Sequence, residues 1–135
     1  MNKYRVMIVD DNDEILNSLK KYLEQENYII EANCSALEAF EKIKTDKYHI
    51  VLIDIDLPDM NGIELLKEIK RYDALTQVIM MSSNSTMDQI LGSLEYGAND
   101  FIQKPFENME HVTKIIEYSV QKLERWRKSI IKLIR

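Results

Sequence analysis

Apolar residues along this chain form five short blocks, and between the blocks they recur every three or four positions. The blocks are Tyr4–Val9, Tyr28–Ala32, Ile50–Ile53, Val78–Met81 and Phe101–Gln103. Short β-branched runs that end in polar turn residues predict strands buried on both faces, as in a parallel sheet. The stretches between them predict helices. Ile15, Leu16, Leu19 and Leu23 share one helical face, which Asn27 closes. Ser35 precedes Glu38 at capping-box spacing and opens a helix directing Leu37, Phe40 and Ile43 inward. Ile63, Leu65, Leu66 and Ile69 mark a third helix. Ile90, Leu91 and Leu94 mark a fourth, opened by Ser85 or Thr86 and closed by Gly97 in a left-handed cap. From Glu107 to Arg135 the pattern is one long helix. Strands alternating with helices predict an α/β fold: five parallel strands, doubly wound, with an extended C-terminal helix.

Composition narrows this picture. A chain of 135 residues, 45% hydrophobic, can bury one adequate core, and no Pro/Gly/Ser-rich linker divides it. Its apolar runs are too short to span a bilayer. Asp10 and Asp11 come too early for the apolar core of a signal peptide. Cys34 has no second cysteine to pair with, so a reduced, cytoplasmic setting is expected. The net charge of −5 is unevenly spread: residues 122–135 carry +5, so residues 1–121 carry −10. An acidic body suits a cation and not the phosphates of nucleic acid, so no direct nucleic-acid binding is expected. His49 and His111 stand alone and suggest neither a metal site nor a phosphoryl relay.

The strand ends carry the chemistry. The first strand ends in Asp10–Asp11, the third in Asp54, the fourth in Ser82–Ser83 and the fifth at Lys104. In an open parallel sheet these carboxyl ends share one edge, where ligands bind. Taken singly, Asp54 reads as a turn residue, Asp10 as a helix cap, Ser82 as a turn and Phe101 as core. Taken together they converge three carboxylates, a hydroxyl and an ammonium. Mutually repelling carboxylates suit a hard cation such as Mg²⁺, which takes oxygen ligands and keeps several waters. A carboxylate can also accept a phosphoryl group as an acyl phosphate, and a cation, an ammonium and a hydroxyl stabilise the oxygens in transfer.

With these motifs in order, the chain over about residues 4–121 resembles the receiver domain of two-component response regulators. The resemblance rests on Asp10–Asp11, the segment Asp54-Ile55-Asp56-Leu57-Pro58-Asp59-Met60-Asn61-Gly62, Ser82–Ser83, and Phe101-Ile102-Gln103-Lys104-Pro105-Phe106. It implies a flavodoxin-like receiver unit over 1–121, followed by a basic amphipathic extension over 122–135. It implies that Asp54 is the phosphoacceptor and a metal neighbour. Asp11 would be the direct Mg²⁺ ligand, Asp10 a ligand through water and Asp56 a ligand through its backbone carbonyl. Lys104 would pair with the acceptor and then with the phosphoryl group. Ser82 would be the switch hydroxyl, the Ser83 backbone would contact the phosphoryl group, and Phe101 would be the switch aromatic. Lys104–Pro105 is where the family typically has a cis peptide. A histidine kinase or phosphotransfer protein would be the donor, and the activity would be self-catalysed phosphoryl acceptance and loss, without turnover of a separate substrate.

Two alternatives share parts of the pattern. A haloacid-dehalogenase-like phosphatase also uses an Asp nucleophile with a second Asp two residues on, as in Asp54-Ile55-Asp56, but places it after its first strand. A narrower alternative is the receiver part of a longer regulator whose output domain would follow Arg135. Asp56 and Asn84 occupy the two positions that tune phosphoryl lifetime in the family. Thr86–Tyr96 has no Lys or Arg, and so lacks the basic partners of the dimer common among DNA-binding members.

The long last helix adds one more expectation. Val112, Ile116, Ser119, Leu123, Trp126, Ile130 and Leu133 follow spacings of four and three, a heptad seam. Its first half would cover the sheet through Ile115 or Ile116 and Val120. Its second half, with Leu123, Trp126, Ile130, Ile131 and Ile134, would need a partner, either a second copy or another output protein. Movement of Phe101 would shift this helix.

Overall fold

The computed structural model describes residues 4–134. Five strands, β1 (Arg5–Val9), β2 (Ile29–Asn33), β3 (Ile50–Asp54), β4 (Gln77–Ser82) and β5 (Asp100–Gln103), alternate with five helices. The helices are α1 (Asp13–Gln25), α2 (Ala36–Thr45), α3 (Gly62–Tyr72), α4 (Met87–Glu95) and α5 (Met109–Ile134). The strands pair in parallel in the order β2-β1-β3-β4-β5. The chain lays β2 on one side of β1 and then builds outward on the other, so the order reverses between β1 and β3.

Successive strand residues serve opposite faces of the sheet. Val6, Ile8, Leu52, Ile79, Met81 and Ile102 pack on Leu16, Leu19 and Leu23 of α1 and on Val112, Ile115 and Ile116 of α5. Met7, Val9, Val51, Ile53, Val78 and Met80 pack on Ala36, Ala39 and Ile43 of α2 and on Leu65, Leu66 and Ile69 of α3. Side-chain caps start the helices. Asn12 accepts from Ile15 N, Ser35 from Glu38 N and Asn61 from Ile63 N. Of the two cap residues open for α4, Thr86 takes the role, with Gln89 completing a reciprocal capping box. Asn27 (φ 70°) and Gly97 (φ 96°) turn the chain in the left-handed region after α1 and α4.

The structure corrects several expectations. Leu37 is 55% exposed, because the inner face of α2 is made by the small Ala36 and Ala39 with Ile43. On α4, Leu91 and Leu94 face solvent and Ser93 is the buried residue. The last helix begins at Met109, not Glu107, because Asn108 Oδ1 accepts from His111 N at 2.8 Å and sets the start. Leu123 is only 1% exposed, so it belongs to the core and not to a free seam. Residues 1–3 and Arg135, the outer ends of the expected two-part division, lie outside the described residues. Among the described residues, no helix is long and apolar enough to cross a membrane.

Candidate functional site

The parallel register brings the carboxyl ends of β1, β3, β4 and β5 to one edge. Asp10 follows β1, Asp54 ends β3, Ser82 ends β4, and Lys104 follows β5. Lys104 Nζ donates to Asp10 Oδ2 at 2.6 Å and to Asp54 Oδ2 at 3.0 Å, with all three side chains buried. The remaining oxygens are also held. Asp10 Oδ1 accepts from Asn12 N at 2.9 Å, and Asp54 Oδ1 accepts from Asp56 N at 3.1 Å. Asp11 is exposed, and its carboxylate shares with those of Asp10 and Asp54 a cluster whose oxygens lie within 4.8 Å of one another. Above the cluster is an open pocket of about 480 Å³, lined by Asp10, Asp11, Asn12, Asp54, Asp56, Ser83, Lys104 and Pro105 among others.

Burial raises the Asp54 carboxyl above the usual range, and the Asp10 charge adds to this; the bonds from Lys104 and Asp56 N oppose it. Lys104 shows the converse balance. Burial works against its charge, but the bonds to Asp10 and Asp54 outweigh it and raise its pKa. One buried ammonium therefore holds two buried carboxylates that would otherwise repel. Three clustered carboxylates, one of them exposed, form a donor set that fits a hard divalent cation.

The remaining expected residues are placed less uniformly. Ser83 lines the pocket. Ser82 is fully buried, and its Oγ accepts from Asn84 N at 3.2 Å. The Lys104–Pro105 peptide is cis. Phe101 packs with the core on the α2/α3 face, and the neighbouring Ile102 meets α5. The route expected from Phe101 directly to α5 is therefore not the one the packing provides. Phe101 instead lines a cleft with Ile90, Ser93 and Leu94 of α4.

Two residues of the site were not singled out from sequence. Asn12 fixes Asp10 through its backbone N–H and caps α1 with its side chain. An Asn directly before a helical run is a cap signal that could have been read. Gly62 stands in the sequence only as the last residue of the Asp54–Gly62 segment. A Cβ at Gly62 would lie 2.4 Å from the Asp54 carbonyl oxygen and 2.7 Å from Ile55 Cα, so α3 can start this close to the acceptor only with glycine there.

The comparisons agree with this architecture. A family model, the response regulator receiver domain, matches residues 6–117. A transcriptional regulatory protein CpxR homolog of Haemophilus influenzae is 35% identical over 111 residues, covering 82% of this chain and 48% of that protein. Response regulator GtcR of Aneurinibacillus migulanus is 36% identical over 110 residues, covering 82% and 45%. This chain thus spans about half the length of these curated relatives. The crystal structure of a CheY-like response regulator receiver domain protein from Methanospirillum hungatei superposes with a TM-score of 0.89 at 33% identity, covering 92% of this chain and 98% of that one. The solution structure of the beryllofluoride-activated NtrC4 receiver domain dimer gives 0.84 at 28% identity, covering 88% and 98%. Receiver domains of this family are signalling switches and not classical enzymes. The chain belongs to the response regulator receiver domain family of two-component signalling.

Proposed function

We propose that Asp54 is the phosphoacceptor of this receiver, taking a phosphoryl group from the phosphohistidine of a kinase or phosphotransfer protein. The observation that carries the reading is Lys104 bridging Asp54 and Asp10 beneath a pocket open to Asp11. An Asp54 carboxylate oxygen attacks phosphorus as the donor's P–N bond breaks, leaving an acyl phosphate and free imidazole. Lys104 keeps the carboxylate ionised before transfer and then pairs with the phosphoryl oxygens. Ser82 Oγ, now bonded by Asn84 N, is the switch hydroxyl that turns toward those oxygens, and the Ser83 backbone faces them from the pocket wall. Hydrolysis reverses the state: water attacks phosphorus and releases phosphate.

Mg²⁺ is the cation this donor set favours; Asp11, Asp54 and the Asp56 carbonyl would hold it, with Asp10 acting through water. Asp10 fits the indirect role because its side chain is wholly buried, whereas Asp11 is exposed. When bound, the ion would neutralise charge developing on the transferred oxygens.

The receiver unit reaches about residue 121, and residues 122–135 form the basic extension. Support comes from burial along α5, which stops at Leu123, while Trp126, Ile130, Ile131, Leu133 and Ile134 are exposed. That face is the surface through which the phosphorylated state reaches a second copy or an output protein. The beryllofluoride-activated NtrC4 receiver, which is a dimer, makes self-association a reasonable first test. The test of the site is labelling by acetyl phosphate with Mg²⁺. Wild-type protein should be labelled, Asp54→Asn should not, and Asp11→Ala should require much more Mg²⁺. Normal labelling of Asp54→Asn at another residue would remove Asp54 from its role.

A further inference from the structure

The loop between β3 and α3 leaves the acceptor and carries Asp56 at its start. It is tied at both ends. Asp56 N donates to Asp54 Oδ1 at 3.1 Å, and Gly62 N donates to Ile55 O at 2.7 Å. Its middle is tied to a different part of the fold. Asp59 Oδ2 accepts from Ser35 Oγ at 2.8 Å and from Leu37 N at 3.0 Å, and Asp59 Oδ1 accepts from Ala36 N at 3.1 Å. Ser35 Oγ in turn accepts from Glu38 N at 3.3 Å. The first N–H groups of α2, which have no partner within the helix, are thus satisfied by a carboxylate from the acceptor's own loop. A negative charge at the positive end of α2 adds to these bonds. The bonds from Leu37 N, Ala36 N and Ser35 hold the Asp59 carboxyl below its ordinary range even though it is largely solvated.

Ordinary capping needs only a local residue, and Ser35 already supplies one. Three further bonds from a residue more than 20 positions away do something a local cap cannot: they fix the loop. We propose that Asp59 is a positioning residue for the phosphorylation site, latching the β3–α3 loop to the N-terminus of α2 so that the Asp56 carbonyl is held where the cation is bound. The proposal rests on the reading of Asp10, Asp11, Asp54 and Asp56 as the cation site. Asp59 touches neither the cation nor the phosphoryl group. Its action is to remove the loop's freedom before either binds, as outer partners of metal ligands do.

The experiment compares Mg²⁺ affinity by calorimetry and thermal stability for four proteins: wild type, Asp59→Ala, Ala39→Gly and the double variant Asp59→Ala with Ser35→Asp. Ala39→Gly weakens α2 without touching the latch. The double variant supplies a strong local cap to α2 but leaves the loop untied. The expected result is about a tenfold loss of Mg²⁺ affinity in Asp59→Ala. The same loss should persist in the double variant although its melting temperature recovers, and Ala39→Gly should bind Mg²⁺ as wild type does. Slower labelling by acetyl phosphate at sub-saturating Mg²⁺, restored at saturation, would accompany this. Unchanged Mg²⁺ affinity in Asp59→Ala, or affinity recovered along with stability in the double variant, would overturn the latch and leave the site reading in place. Wild-type protein that binds no Mg²⁺ would overturn the site reading itself and the latch with it.

Discussion

The carboxyl edge of the sheet and the end of α5 both invert the usual rule of burial, in opposite directions. At the edge, Asp10, Asp54 and Lys104 carry charge inside the protein, and Lys104 answers both carboxylates. At the end of α5, Trp126 is 61% and Leu133 85% exposed, and no packed layer of the described protein covers them. At the edge the oxygens of Asp10 and Asp54 are held by hydrogen bonds from Lys104, Asn12 N and Asp56 N. The tail is open, and its apolar groups contribute nothing to this fold. Such departures from local consistency concentrate where function is placed. The edge departs because one buried ammonium is shared between two buried carboxylates. The tail departs because α5 runs past the end of the sheet, beyond the layer that buries Leu123.

Each side of this comparison can be broken by substitution. The largest effect is expected at the edge, from Gly62→Ala. The new Cβ would meet backbone, which cannot swing away, so a loss of about 3 kcal/mol is expected in urea unfolding. A change under about 0.5 kcal/mol would mean that α3 can retreat from the acceptor. Next comes a pair on the same helix. Leu123→Ala should cost about 2 kcal/mol, and Trp126→Ala, three residues on, should stay within about 0.5 kcal/mol. Equal losses would erase the distinction between the packed and the free part of α5. If the free part is an assembly surface, Trp126→Ala should weaken association in sedimentation with beryllofluoride and Mg²⁺ while labelling of Asp54 continues.

A smaller effect has the opposite sign. Asp54→Asn removes a buried charge set beside the Asp10 carboxylate, so it should raise stability by about 1 kcal/mol while abolishing function. Lower stability in that variant would mean that the carboxylate is a net structural asset.

The smallest effect tests the opposite, amino-terminal edge of the sheet through His49. Burial lowers its pKa, aided by Arg127, Lys47 and Arg5, and its Nδ1 accepts from Arg5 N at 3.0 Å, which requires that nitrogen to be unprotonated. Because the folded pKa lies below the unfolded one, the unfolded chain takes up a proton first as pH falls. The stability tied to neutral His49 is therefore complete above about pH 6.5 and is lost as pH drops below it toward the folded value. Urea midpoints at about pH 7.5 and pH 5.5 should converge in His49→Gln relative to wild type. An identical acid dependence in both proteins would assign it to other groups.

The fold was legible in the chain because each strand ends in a change from β-branched apolar to polar residues, and parallel pairing then forces those ends together. That is why the sequence alone groups Asp10, Asp11, Asp54 and Lys104. Periodicity failed where small residues do the packing. Ala36 and Ala39 make the inner face of α2, so the larger Leu37 drew attention to the wrong side. The heptad reading of α5 had the same weakness: one spacing runs through Val112, Ile116, Ser119 and Leu123, which are buried, and through Trp126, Ile130 and Leu133, which are not. Spacing reports which residues share a face, and the end of the sheet decides which of them find cover. The Asp59 latch and the held oxygens of Asp10 left no trace in the pattern, because they depend on single bonds between separate elements.

The central claim is that the charge buried at the sheet edge exists to accept phosphoryl at Asp54. Its most direct test is to treat the protein with acetyl phosphate and Mg²⁺, trap the acyl phosphate by borohydride reduction and map the reduced residue by peptide mass spectrometry. The modified residue should be Asp54, and omitting Mg²⁺ should suppress the modification. Modification at another carboxylate, or none at Asp54 in protein shown to be folded, would contradict it.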